Sequence, residues 1–146
     1  MKIYLDSSVV LRYLLNGDET IKQIGNGHEI ASSELLEIEC RRVLQRERLE
    51  MHIDDELYAA AAQALDSLLN MIAIIELGKN VLRRAGESFP TVIGPLDAMH
   101  LASALLWRES AQIDVAILTY DKRLAVCAKA LNIPAFGAEK RGTAPR

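Results

Sequence analysis

Short apolar runs along the chain alternate with longer segments in which apolar side chains return every three or four positions. A run of four or five apolar residues reads as a buried strand, and a period near 3.6 as a helix with one face in a core. The alternation therefore predicts βαβ units around a largely parallel sheet. Strands are expected at about residues 2–5, 28–31, 71–77 and 115–119, with a fifth, at the edge, at Ala135-Phe136. Helices are expected over 8–15, on to about Ile24 beyond the Asn16-Gly17-Asp18 turn, and over 33–50 and 54–70. Further helices are expected over 78–88, 95–109 and 122–131, with Pro95 suited to the first helical position. The expected architecture is an α/β fold, a three-layer α/β/α sandwich with a central parallel sheet of four to five strands. Residues 1–138 make one domain in this reading, and residues 139–146 a flexible C-terminal tail.

Composition narrows this little. A chain of 146 residues fits a single domain with one sizeable core, and 50% hydrophobic with 25% charged residues is ordinary for a globular protein. The net charge of −3 argues against coating nucleic acid through a broad basic surface, while leaving room for an enzyme with a local basic rim. Cys40 and Cys127 lack C-x-x-C spacing, and no stretch resembles a secretory signal or a membrane span. These features point to a reduced, cytoplasmic protein with no membrane partner.

The candidate chemistry lies in four acids, Asp6, Glu39, Asp97 and Asp121. Asp6 and Asp121 close the first and fourth strand-like runs, and the carboxyl edge of a parallel sheet is where α/β proteins bind ligands. Each also fits an ordinary helix N-cap, worth about 1 kcal/mol. On its helix Glu39 winds to ~40° from Leu35, within the apolar face, at ~100° per residue. A buried charge there needs a partner, either an arginine such as Arg42 one turn on or a metal ion. Asp97 stands in the first turn of a helix apolar on almost every side, where the helix dipole favours a carboxylate and chemistry can use one. Gathered in one cleft, four carboxylates repel one another unless a cation neutralises them, and such oxygen ligands select Mg²⁺ or Mn²⁺ over zinc. His28, His52 and His100 have no ligand spacing, and His100 reads as a packing or hydrogen-bonding residue.

The joint pattern resembles the PIN-domain family of nucleases, and within it the VapC-type ribonuclease toxins. The resemblance runs to about Phe136 and rests on four segments: Ile3-Tyr4-Leu5-Asp6-Ser7-Ser8, Glu39-Cys40-Arg41-Arg42-Val43-Leu44, Leu96 to Leu105, and Leu118-Thr119-Tyr120-Asp121-Lys122-Arg123-Leu124. It implies that Asp6, Glu39, Asp97 and Asp121 are catalytic, metal-binding acids. Thr119 stands at the family's hydroxyl and is a fifth catalytic candidate, orienting ligands or phosphate, and Ser7 is a further candidate for that role or for local capping. It also implies an RNA substrate, single-stranded or structured, a cognate antitoxin lying across the active-site groove, and a homodimer. Where many relatives carry another Asp or Asn after the fourth acid, this chain has Lys122, Arg123, Leu124 and Ala125, which bears on a second metal ion more than on activity.

The expected function is thus that of a metal-dependent endoribonuclease, the toxin of a VapBC-type pair. The alternative is a catalytically inactive PIN-like scaffold that binds RNA or a protein partner. Arg12, Arg41, Arg42, Lys122 and Arg123 are the candidate rim cations nearest the motifs, although a solvated helix face explains most of them equally well. A haloacid-dehalogenase-like phosphatase would want a second aspartate at position 8, where Ser8 stands. A response-regulator receiver would want further acids directly after Asp6, where Ser7 and Ser8 follow.

Overall fold

The structure, a computed structural model, describes residues 1–138, so the expected tail over 139–146 lies outside the described residues. Its strands are β1 (Lys2–Leu5), β2 (Glu29–Ser33), β3 (Ala73–Ile75), β4 (Val115–Leu118) and β5 (Ala135–Phe136). Its helices are α1 (Ser7–Asn16), α2 (Thr20–Gly25), α3 (Leu35–Leu49), α4 (Asp55–Met71), α5 (Lys79–Ala85), α6 (Pro95–Ala111) and α7 (Lys122–Ala130). All strand pairs are parallel, in the order β3-β2-β1-β4-β5.

Strand geometry sends successive side chains to opposite faces, so each central strand serves two cores. Ile3, Leu5, Ala116 and Leu118 face buried residues of α1–α4, among them Val10, Leu36, Cys40 and Leu65. Tyr4, Val115 and Ile117 face the other way, onto Leu101, Leu105, Leu124 and Cys127 of α6 and α7. The α/β/α sandwich follows, with α5 packed against α6. The ends of the helices carry the expected punctuation. Gly17 terminates α1 in the left-handed region, Asp54 caps α4 by accepting from Leu57 N at 2.8 Å, and Pro95 opens α6.

Two strands differ from the expectation by more than one residue, and α5 ends at Ala85, short of 88. The third strand is shorter than 71–77, because α4 runs on through Met71 and only Ala73–Ile75 pair with β2 at the sheet edge. The apolar run Met71-Ile72-Ala73-Ile74-Ile75 hides that boundary, since it suits helix end and strand alike. Conversely, β2 extends to Ser32 and Ser33, fully buried hydroxyls that look like loop in the sequence. They are satisfied locally: Ser32 Oγ donates to Leu5 O at 2.8 Å, and Ser33 Oγ accepts from Leu35 N at 3.3 Å.

The chain winds outward from β1 through β2 to β3, then crosses back to lay β4 on the free side of β1. That reversal makes the carboxyl ends of β1 and β4 the topological switch point, where open α/β sheets bind their ligands. The register Leu5↔Leu118 sets Asp6 beside Thr119, and β5 closes the sheet as Thr119 N donates to Phe136 O at 2.9 Å. Gly137 makes this approach possible. At φ +104° it occupies a conformation L side chains avoid, and a Cβ there would stand 2.6 Å from the Thr119 carbonyl oxygen. Gly137→Ala is therefore expected to destabilise the fold by about 1–3 kcal/mol, measured by urea unfolding. An unchanged midpoint would show that this edge of the sheet yields freely.

Candidate active site

Asp6, Glu39, Asp97 and Asp121, drawn from four separate segments, line one cleft of about 610 Å³ at the carboxyl edge of the sheet. Asp6 is the first residue beyond β1, and its N–H extends the ladder by donating to Leu118 O at 3.0 Å. Its Oδ2 accepts from Ser8 Oγ at 2.6 Å and from Thr119 Oγ1 at 2.8 Å, whereas its cap contact from Ser8 N is long, at 3.4 Å. Hydroxyls, more than capping, hold this carboxylate. Both hydroxyls are fixed in turn, as Thr119 Oγ1 accepts from Asp121 N at 2.9 Å and Ser8 Oγ from Tyr120 N at 3.0 Å. Ser7 opens α1 and also lines the cleft.

Asp121 does cap its helix, with Oδ1 accepting from Arg123 N at 2.8 Å and Leu124 N at 3.2 Å. Its Oδ2 has no hydrogen bond among the described residues. Glu39 finds its partner in His100, whose Nε2 lies 2.6 Å from Glu39 Oε1, and not in the exposed Arg42. The carboxylate rests at the margin of the apolar face, 17% exposed, instead of within it. Leu36, Cys40 and Leu44 of α3 fill the core, while Glu39, Val43 and Arg46 turn to the cleft. The buried His100 shares a second hydrogen bond, 2.7 Å from Nδ1 to the Tyr4 hydroxyl. Burial pushes the His100 imidazolium down, but the bond to Glu39 and the nearby Tyr4 and Asp6 oxygens more than offset this, so its pKa is raised.

Asp97, in the first turn of α6, makes no hydrogen bond and no ion pair among the described residues. Partial burial, followed by the charges of Asp121 and Asp6, pushes its carboxyl up to about 6, with His100 pulling the other way. Burial also raises the Cys40 thiol far above its ordinary range, which leaves it protonated and unreactive.

The cationic rim differs from the expected one. Arg12 lines the cleft, its guanidinium 4.3 Å above the Tyr120 ring, and Tyr120 is held by a 2.7 Å hydrogen bond to Asp18. Arg41 is tied to Glu37 and Asp66 at 2.7 and 2.6 Å, and Arg42, Lys122 and Arg123 do not line the cleft. Arg46 does, and extending the Glu39 face by seven residues along α3 would have found it. The roles of Ser8 and Tyr120 carry no local signal, since they depend on contacts across the sheet.

The donor set suits a hard divalent cation, being carboxylate and hydroxyl oxygen throughout. The acids are not closed into a tight chelate. Among the described residues the only three histidine, cysteine or carboxylate ligand atoms all within 4.8 Å of one another belong to Glu47, Glu50 and His52, a group organised by a 2.8 Å His52–Glu47 hydrogen bond. A cation among Asp6, Glu39, Asp97 and Asp121 would thus be held partly through water.

A family model for the PIN domain matches residues 3–130. The chain belongs to the PIN-domain family. Ribonuclease VapC47 of Mycobacterium tuberculosis is 30% identical to it over 129 residues, 84% of this chain and 86% of that protein. Among solved structures, VapBC2 from Rickettsia felis bound to a DNA fragment from its promoter is 14% identical and superposes with a TM-score of 0.66, covering 93% of this chain and 98% of that one. VapBC-1 from nontypeable Haemophilus influenzae is 11% identical with a TM-score of 0.60, over 93% and 97% of the two chains. At these identities the solved structures speak to the PIN fold alone. No described helix of this PIN domain is long and apolar enough to cross a membrane.

Two outcomes follow from the geometry of this PIN domain. Asp97 ionises at about 6 in the fold against about 3.8 ordinarily, so the unfolded chain gives up this proton first. Its contribution to stability is neutral below pH ~4, turns unfavourable between ~4 and ~6 and stays so above. Without added cation, Asp97→Asn is expected to raise Tm at pH 7.5, with the gain gone by pH 4; a gain that persists there would deny the electrostatic origin. Thr119→Val nearly keeps the volume but removes a donor to Asp6 and the acceptor of Asp121 N–H, so any Mn²⁺ affinity of the cleft is expected to fall about 10–100-fold, read by water-proton relaxation.

Proposed function

We propose that this PIN-domain protein is a Mg²⁺- or Mn²⁺-dependent endoribonuclease and the toxin of a toxin–antitoxin pair. The observation that carries this reading is the convergence of Asp6, Glu39, Asp97 and Asp121 on one cleft at the switch point, with the Asp97 carboxylate making no hydrogen bond or ion pair among the described residues. The match to Ribonuclease VapC47 supports RNA as the substrate. In the proposed mechanism Asp6, Asp97 and Asp121 hold the cation, directly or through water, and Glu39 serves as a ligand or orients the attacking water. When bound, a divalent cation supplies activation of water and neutralises charge developing at the scissile phosphate. Ser8 and Thr119 keep Asp6 Oδ2 occupied, which leaves Oδ1 as the oxygen without a hydrogen bond among the described residues. Arg12 and Arg46 supply positive charge where an RNA backbone would approach an otherwise acidic pocket. No acid follows Asp121 on α7, where Lys122 and Arg123 are exposed and Leu124 and Ala125 are buried, so one cation is the simplest occupancy.

The VapBC assemblies among similar folds support an antitoxin partner, and exposed Ile38, Leu49 and Met51 on and beyond α3 offer apolar surface to it or to a second copy in a homodimer. Two buried, unpaired cysteines fit action in the reducing cytoplasm.

The test is incubation of antitoxin-free protein with single-stranded and structured RNA in Mn²⁺, Mg²⁺ or chelator. Cleavage is expected with cation only, and Asp6→Asn and Asp97→Asn should lower it at least ~100-fold while remaining folded. Equal inactivity of a folded wild type in both conditions would instead favour the scaffold that binds RNA or protein without cutting. Cation affinity should fall as pH drops through about 6, where Asp97 takes up its proton, and titrations at pH 5 and 7.5 measure this.

A further inference from the structure

We propose that His100 is a positioning residue for Glu39, and that Tyr4 in turn fixes the ring of His100. This rests on the reading of the cleft as a cation site. Tyr4 lies mid-strand in β1 with no exposed surface, where phenylalanine would fill the space without a hydroxyl to satisfy. Among the described residues the hydroxyl makes one hydrogen bond, 2.7 Å to His100 Nδ1, with the two rings edge to face at 72° and 5.7 Å. His100 is likewise fully buried on α6, one turn after Asp97. Its other nitrogen reaches Glu39 Oε1 at 2.6 Å and stays 3.8 Å from Asp6 Oδ1, beyond hydrogen-bond range.

The chain Tyr4–His100–Glu39 therefore links β1, α6 and α3, the elements that lead to Asp6, carry Asp97 and carry Glu39. A glutamate at the margin of a helix has several rotamers open to it, and most would swing the carboxylate out along α3. Holding Oε1 from the core side restricts it to the cleft and leaves Oε2, unbonded among the described residues, for a cation or water. Hydrogen-bond partners outside a metal's own ligands act in this way, and their loss costs about 10–100-fold in affinity.

The test measures the Mn²⁺ dissociation constant by water-proton relaxation, with folding followed by circular dichroism. The variants are Tyr4→Phe, His100→Leu, His100→Gln and Glu39→Gln, and Tyr4→Phe and His100→Leu each combined with Glu39→Gln. His100→Leu should weaken Mn²⁺ about 10–100-fold, His100→Gln, which keeps a donor, should recover part of this, and Tyr4→Phe should lose less. In the Glu39→Gln background neither change should weaken binding further. Were His100 only a countercharge among acids, its loss would tighten Mn²⁺ binding, and that result overturns the proposal, as do additive effects with Glu39→Gln. If His100→Leu does not fold, Tyr4→Phe and its double variant decide the matter. Wild-type protein that binds no Mn²⁺ would overturn the cation-site reading itself, whereas wild-type binding with additive variants overturns only the positioning.

Discussion

The parallel pairing of β1 with β4 is the constraint on which the site depends. Because β4 joins the sheet on the side of β1 away from β2, the connections leave their carboxyl ends in different directions and open a cleft between them. The register then places the Thr119 hydroxyl 2.8 Å from Asp6 and directs the chain after β4 into Asp121. Gly137 protects that register from the other side, since a larger residue would press on the Thr119 carbonyl. A slip of one residue would turn Asp6 away from the cleft and Tyr4 away from His100, because strand side chains alternate.

Four carboxylates at one end of a sheet oppose folding, and the structure distributes the burden unevenly. Asp6 is held by two hydroxyls, Asp121 by two amides and Glu39 by His100. Asp97 has none of these, and burial with its acidic neighbours raises its proton affinity. Uncompensated charge of this kind is a feature of functional sites, where stability is exchanged for activity. The helix α3 shows a similar division of labour, with one stripe in the core, one in the cleft and Ile38 facing solvent.

Much of this was legible from local pattern. The strands β1 and β4 are apolar on both faces, and the helices carry their own starts and stops in Asp54, Pro95 and Gly17. The boundary of α4 and β3 was not legible, since one apolar run serves both, and Ser32 and Ser33 were hidden by hydroxyls that only tertiary contacts satisfy. Of the cleft, the acids and Thr119 stood out by position and family likeness. Arg46 lay within reach of the same helical wheel, whereas Ser8 and Tyr120 depend on a hydrogen bond between residues 112 positions apart.

The order of elements, the parallel sheet, the two-faced core and the four acids are properties of the sequence alone, because periodicity and capping act over a few neighbouring residues. Which partner each acid takes belongs to the tertiary structure. Glu39 bonds to a histidine 61 residues away, not to the arginine one turn along its own helix, and Asp6 to a threonine 113 residues away. Such pairings are set by strand order and by how helices from opposite layers meet at the sheet edge, and no local signal encodes either.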